Sequence, residues 1–595
     1  MKALSVAAVA FFLSAVSCSA GALWYPAEGW SDKPDPVASP RARKGGLIRF
    51  NGGQGPKSYN AYIDNNTYTR MTFDLMYGSL LTIDSETLDF KPYIACRWAV
   101  SDDGREFTFV IDPRARWSDG TRITAEDVKW TFDAVMDAKS DTGAWKTMLG
   151  VYESPHVAAA DTVVFRKKGD SPKDWRDLIH CATFPIMPSG HFGGADFNRL
   201  DFIGAPVSGP YRLCRIEHEV ECEYRRETGW WRADFPSSRG LFNFDRLIIR
   251  YFTDNENAFE ALKKKRIDVY PVYTARIMNE GTRTGQFSRN WILKRRVRNQ
   301  SPIGFQGFAM NMRRPPFDDV RTRKAMAKLM DRELMNRTMM NGEYFLLNSY
   351  YTDLYRPRTS CTNELWRYDP EGAAKLLSEA GWRRNAQGLL EKNGREFVFT
   401  FLSRSQGDDK FLSLFNSALR AQGVTMKIDR KDFAGWMRDM DQYNFDMTWA
   451  AWGASLIRNP ETMWKSSEGR NKGGNNVTGF ADAEVDAIIE REKTMMTNSE
   501  REDAYRRIDA LVCAQVPYIL LWHTDEHRVL YWNRFGVPSS VFGRYGDEDG
   551  ILAYWWFDAD KARELDEAMS ADADSSEAFL PAVPLRVDFK TGTER

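Results

Sequence analysis

Residues 107–135, FTFVIDPRARWSDGTRITAEDVKWTFDAV, change their hydrophobic pattern partway through, and that change restricts what the chain can fold into. The opening FTFVI is aromatic and β-branched, as strands are. Asp119-Gly120 supplies a turn. Beyond it Val128, Phe132 and Val135 recur at helical spacing on one face. Thr124, with Asp127 three positions later, forms a capping box in which Asp replaces the usual Glu or Gln. The same mixture runs on. GGLIRF begins a strand, and NAFEALKKKRIDVYPV reads as helix then strand. GPYRLCRIEHEVECEYRRE alternates about His218 as a hairpin does. RTRKAMAKLMDRELMNRTMM and DPEGAAKLLSEAGW each read as a helix, the second closed near Gly381. AEVDAIIEREKTMM and SEREDAYRRIDALVCAQV form an amphipathic helix pair. Interleaved strands and helices define an α/β or α+β class. At 595 residues the chain exceeds the roughly 250–300 that one core sustains, so it holds several domains.

Charge narrows the function. Lys+Arg and Asp+Glu both number 82, so the chain lacks the basic excess of a general nucleic-acid binder. Twenty tryptophans are a large stock of flat side chains, suited to ligand walls and to cores alike. Lys2, the apolar run Leu4 to Val16 and the small residues after it follow the plan of a secretory signal. That run is shorter than the about 20 residues a membrane span needs. Ala20-Gly21-Ala22 fits signal cleavage, which makes 1–22 a signal peptide. Ala15-Val16-Ser17-Cys18 fits a lipobox, which would anchor the product by lipid at Cys18. Both routes lead out of the cytoplasm, to a periplasmic location. Residues 23–45, rich in Pro, Ser and charge, read as an extended surface leader. The tail, 561–595, is polar and reads as partly disordered.

Chemical motifs are scarce. There is no HExxH, no GxSxG elbow and no Walker loop. NGGQGP at 51–56 lacks the Lys-Ser/Thr that a phosphate loop requires. His523, Asp525 and His527 share one strand face, but three ligands without a second cluster read as a polar face rather than a metal site. Lys263 to Arg266 read as a solvated helix end. The cysteines outside the signal are Cys96, Cys181, Cys214, Cys222, Cys361 and Cys513. They contain no Cys-x-x-Cys, and their even number permits disulfides in an exported chain.

FDMTWAAWGAS, residues 445–455, reads as a strand with Phe445, Met447, Trp449 and Ala451 on one face and Trp452 on the other. Trp452 is then either a core plug or one wall of a ligand cleft.

Several segments resemble the peptide-binding proteins of bacterial ABC importers, solute-binding protein family 5. They are IDPRARWSDGTRITAEDV at 111–128, NMRRPPFDDVRTRKAM from Asn311, GPYRL at 209 and DPEGAAKLLSEAGW at 369. RGLFNFDRL, RVLYWNRFGVP and AYWWFDADKA resemble the YejA-like branch, whose members bind oligopeptides or the peptide-nucleotide microcin C. The resemblance spans about 46–560. It implies a two-lobed α/β fold of the class II periplasmic-binding-protein type, with three domains and a hinge. Domain I is expected to combine 46–72, 190–305 and 521–560, domain II to cover 73–189, and domain III 306–520.

The resemblance implies a binding protein rather than an enzyme, monomeric and without a cofactor or metal. It delivers a peptide or peptide-like ligand to an ABC permease and its ATPase, and touches the membrane only through them or through the anchor. The fold also serves haem, nickel and oligosaccharide binders. An exported peptide hydrolase is the rival class, and no nucleophile-base set supports it. The resemblance places Trp452, Gly453, Ala454 and Ser455 on the cleft, the small residues admitting a peptide backbone. It places Asp64, Asn65 and Asn66 on the facing edge, with Asn311 in the ligand set. Asp-Asn-Asn is equally common turn chemistry. The oligopeptide binders carry an Asp where this chain has Ser455, so no ammonium anchor is expected there. Pairing within the implied domains would join Cys96 with Cys181, Cys214 with Cys222 and Cys361 with Cys513. It favours the Cys214–Cys222 disulfide, two residues equidistant from the hairpin centre, while the other two pairs rest on domain membership alone and are equally open to being free thiols.

Overall fold

The structure, a computed structural model, describes residues 23–589 apart from 54, 65, 170–172, 253, 273, 356–359, 496–497 and 573. Among these, three sheets hold most of the strands. A five-stranded antiparallel sheet joins Leu23–Tyr25, Ala95–Val100, Glu106–Ile111, Thr162–Arg166 and His156–Ala159. An eight-stranded mixed sheet has Leu47–Asn51 near its middle, between Val269–Pro271 and Arg246–Arg250. A second five-stranded sheet orders Thr425–Arg430, Val398–Ser403, Met447–Trp452, Phe305–Met310 and Tyr518–Leu520.

The cores divide the molecule in two. Ile48, Phe50 and Leu213 of the eight-stranded sheet share one continuous apolar core with Trp98, Phe109 and Phe165 of the antiparallel sheet. The third sheet has cores of its own, with Phe308, Phe401 and Met447 on one face and Phe305, Ala309 and Leu402 on the other. The first two sheets therefore make one lobe and the third makes another. The chain passes between lobes from Ile292–Arg298 to Phe305–Met310, and returns from Tyr518–Leu520 to His527–Trp532. Two such crossings are the structural basis of a hinge.

Local sequence explains much of this. Helix Ala125–Met136 buries Val128, Phe132 and Val135, and Thr124 N donates to Asp127 Oδ2 at 2.9 Å to complete the capping box. Gly381, at φ +95°, ends helix Pro370–Glu379 in the left-handed region that glycine tolerates.

Four expectations change. The stretch from Arg321 is two helices, Val320–Lys328 and Arg332–Met339, because Asp331 caps a new start by accepting from Leu334 N. The leader is not merely superficial: Leu23–Tyr25 pairs with Ala95–Val100, and Val37 is buried. The tail docks too. Helix Ala559–Ser570 buries Leu565 and Ala568, and Arg586–Asp588 adds a parallel strand beside Ile292–Arg298.

The Cys214–Cys222 bond does not form. The hairpin register sets Glu223 opposite Arg215 but Tyr224 opposite Leu213, so Cys214 is the extra residue of a bulge. Cys222 faces Ile216 instead, with its Sγ 3.0 Å from Tyr251 Oη. Both are free thiols.

Candidate ligand-binding cleft

Between the lobes lies a cavity of about 1650 Å³. An ordinary small-molecule pocket holds roughly 300–1,000 Å³, so this one has room for an extended ligand. The larger lobe contributes Trp98, Phe107 and Leu178 on one side and Phe542, Tyr545 and Tyr554 on another. The smaller lobe contributes Ala454, Ser455, Leu456 and Ile457 from the segment that follows strand Met447–Trp452, and Lys493 and Arg501 from its helical layer.

Contacts between the lobes close one side of this space. Arg176 Nη2 lies 3.0 Å from Glu492 Oε2, and its Nη1 donates to the Arg458 carbonyl at 2.9 Å. Trp175 Nε1 donates to Glu492 Oε1 at 2.7 Å, and Trp175 N to the Lys493 carbonyl at 3.0 Å. The Arg501 guanidinium sits 4.0 Å over the Trp175 ring. The Arg176 and Glu492 side chains are 2% and 0% exposed, so this ion pair is fully desolvated.

Another stretch of the lining carries acidic residues. Asp547 and Asp549 line the cavity and are exposed to it, with protein crowded around their carboxyls. Burial, then the neighbouring Asp547 and Glu548 carboxylates, push the Asp549 carboxyl up to about 8. Burial and Glu548 raise Asp547 as well. Glu548 turns away toward His527, Oε1 to Nδ1 at 3.3 Å, and that pairing raises the imidazole against its burial. Arg544 is held beside the cavity by Gln300, Nε to Oε1 at 2.6 Å.

The residues expected on the cleft divide. Ala454 and Ser455 line the cavity and are exposed to it. Gly453 is also exposed but is not in the lining, and the Ser455 hydroxyl accepts from Ile457 N at 3.1 Å. Trp452 is half-buried against the core of the smaller lobe, and its Nε1 donates to Tyr518 Oη at 3.1 Å. The chain makes a close backbone approach of its own beside this segment. A Cβ on Gly304 would stand 2.2 Å from the Trp452 carbonyl oxygen, so the lobe crossing lies directly on that strand end. Trp449 packs on the other face against Phe308 and Trp522.

Asp64, Asn66 and Asn311 are not brought to the cavity. Asp64 accepts from Lys57 N at 2.7 Å and Asn66 N at 2.9 Å, which builds a turn. Asn66 caps helix Thr67–Met76, accepting from Tyr68 N. Asn311 is buried and donates to the Tyr443 and Phe445 carbonyls, bracing the strand end. Asn65, the signal segment and Cys18 lie outside the described residues. Sequence reasoning missed Trp175, Arg176, Glu492 and Asp549. Only the Asp547-Glu548-Asp549 run carried any signal, as a local concentration of charge.

The model of the bacterial extracellular solute-binding proteins, family 5, matches residues 89–474, nearly two thirds of the chain. YejA of Escherichia coli K12 is 27% identical over 574 residues, covering 89% of this chain and 92% of that one. The peptidoglycan-binding protein YepA of Agrobacterium fabrum is 24% identical over 557 residues, covering 85% and 90%. The solved structure of DppA from Helicobacter pylori in complex with the peptide STSA has a similar fold, with a TM-score of 0.69 at 15% identity, over 87% of this chain and 99% of that one. This chain belongs to the bacterial extracellular solute-binding proteins of family 5, in their YejA-like branch.

Proposed function

We propose that this protein captures peptides or peptide-like compounds in the cavity between its lobes, closes over them by hinge motion, and presents them outside the cytoplasm to an ABC permease and its ATPase. The observation that carries this is the 1650 Å³ space walled by both lobes, because a ligand there can bridge them and bias closure. Strand Met447–Trp452 supports a peptide reading. On the side of Val398–Ser403 its pairing ends at Leu402 and Thr448, so its later residues offer a backbone edge near the wall at 454–457. The peptide in the DppA complex and the name of YepA point the same way. Three domains are the natural division, with the antiparallel sheet as domain II, the eight-stranded sheet as domain I and the remaining sheet as domain III. The protein works as a monomer, either free or tethered by lipid at Cys18.

Native mass spectrometry of the protein, before and after stripping and with peptide pools added back, tests the reading. A co-purified peptidic mass that rebinds after stripping is the expected result. Retention of a metal chelate, haem or sugar, with no uptake of peptide, overturns it.

A further inference from the structure

Two cysteines far apart in sequence meet on one backbone oxygen. Cys513 Sγ donates to the Asn348 carbonyl at 3.5 Å, and Cys361 Sγ lies 4.0 Å from the same oxygen. Cys513 sits near the end of helix Asn498–Gln515. Cys361 sits on an irregular segment and is half-buried. Asp509, one helical turn before Cys513, organises the junction. It accepts from Ser349 Oγ at 2.8 Å, Tyr350 N at 2.7 Å, Tyr355 Oη at 3.0 Å and Asn363 Nδ2 at 2.7 Å. Its Oδ1 is also 3.7 Å from Cys513 Sγ.

We propose that Cys361 and Cys513 are a disulfide-forming pair, in which Cys361 is the thiol that meets the oxidant, Cys513 the resolving thiol, and Asp509 the base beside it. The oxidant is a small-molecule or protein disulfide. The half-exposed Cys361 thiol gives its proton to solvent and, as thiolate, attacks one sulfur of that disulfide, forming a mixed disulfide and releasing one thiolate, which takes up a proton. Cys513 passes its proton to the Asp509 carboxylate and attacks the Cys361 sulfur. The oxidant's second thiolate leaves. Two protein thiols are oxidised and one disulfide is reduced to two thiols, so atoms and electrons balance. A shift of side-chain rotamers is needed to bring the sulfurs to bonding distance.

The bond would staple the backbone at Cys361 to helix Asn498–Gln515. That helix also bears Asn498 and Arg501, which line the cavity, and Arg501 covers Trp175 at the lobe contact. Oxidation would thus fix the wall on which the lobes meet. The other described cysteines are placed differently: Cys181 and Cys222 are buried in the larger lobe's core, Cys214 is the extra residue of the bulge, and Cys96 lies on strand Ala95–Val100 with its Sγ 3.5 Å from the Val110 carbonyl oxygen.

The test uses the purified, folded, reduced chain exposed to oxidised glutathione, then denatured, alkylated and mapped without reduction. The expected product has lost two thiols, with the peptides containing Cys361 and Cys513 joined, and Cys96, Cys181, Cys214 and Cys222 alkylated. Asp509→Asn should slow resolution at least tenfold, so that Cys361 accumulates as the glutathione mixed disulfide. Cys513→Ser should stop at the same adduct, and it keeps the test sound if Asp509→Asn fails to fold. A wild-type chain that ends with Cys361 and Cys513 both alkylated, with a persistent adduct, or with either joined to another cysteine overturns the proposal.

Discussion

Arg176 and Glu492 are 316 residues apart in sequence, yet they form a 3.0 Å ion pair buried between the two lobes. A desolvated pair is costly to break from one side, because the charge left behind stays buried at about 3–5 kcal/mol. Here that cost can be escaped, since opening the lobes returns the lone charge to water. Arg176→Ala should therefore act on the closed state rather than on folding. Ligand affinity should fall about 10–100-fold, or roughly 1.4–2.8 kcal/mol, while the melting temperature of the stripped protein barely moves. Small-angle scattering on the same variant should show a ligand-saturated radius closer to that of the stripped form. Unchanged affinity and radius would remove this pair from the closing mechanism.

Trp452 and Trp449 lie on opposite faces of one strand, and both are half-buried. Trp452 holds Tyr518 by a hydrogen bond and packs on the smaller lobe's core, so its removal should tell mainly on stability. Trp452→Ala should cost about 2–4 kcal/mol, at or below the roughly 3–5 of a fully buried aromatic. Trp449→Ala, which loses Phe308, Phe411 and Trp522 together, should cost as much or more. Urea unfolding measures both. Should Trp452→Ala fold normally and lose binding instead, the indole faces ligand.

Ala454 is the place to narrow the cavity without disturbing a core, because its side chain is exposed within it. Ala454→Trp should change stability by no more than about 0.5 kcal/mol, as exposed substitutions do. It should weaken binding of long ligands more than short ones, by at least about tenfold, or 1.4 kcal/mol. Calorimetry with a peptide length series reads this directly, and equal affinities across the series would place the ligand elsewhere.

Local chemistry was legible in the sequence and long-range geometry was not. Thr124 and Asp127 announced their helix because a capping box is complete within four residues. Met447 to Trp452 announced a strand through alternation alone. Asn311 looked like a ligand because a polar residue in a family motif carries no mark of burial, and only the Tyr443 and Phe445 carbonyls reveal it as a brace. Asp64 and Asn66 resolved to the turn chemistry that was already their alternative. The bulge at Cys214 broke a symmetry that residue counting could not see. Arg176 and Asp549 gain their meaning from surfaces that face each other only after the lobes are built.

Asp549 makes the cleft sensitive to pH. Its carboxyl is raised from an ordinary 3.8 to about 8, by burial first and by Asp547 and Glu548 next. Between those values the folded protein holds a proton that the unfolded chain has released. The stability this contributes is fully present below about pH 4 and is lost progressively as pH climbs toward 8, levelling off above it. Asp549→Asn should flatten that slope in denaturation profiles collected from pH 5 to 9. A cationic ligand group reverses the preference, because it favours the ionised carboxylate. Peptides with a free amino terminus should then bind more tightly as pH rises toward 8, so long as the amine stays charged. Calorimetry at pH 7 in buffers of different ionisation enthalpy should detect a proton released on binding. N-acylated peptides should show neither effect, and Asp549→Asn should abolish both for the free peptides. If free and acylated peptides keep equal affinities and release no proton across this range, the ligand's charge does not lie beside Asp549.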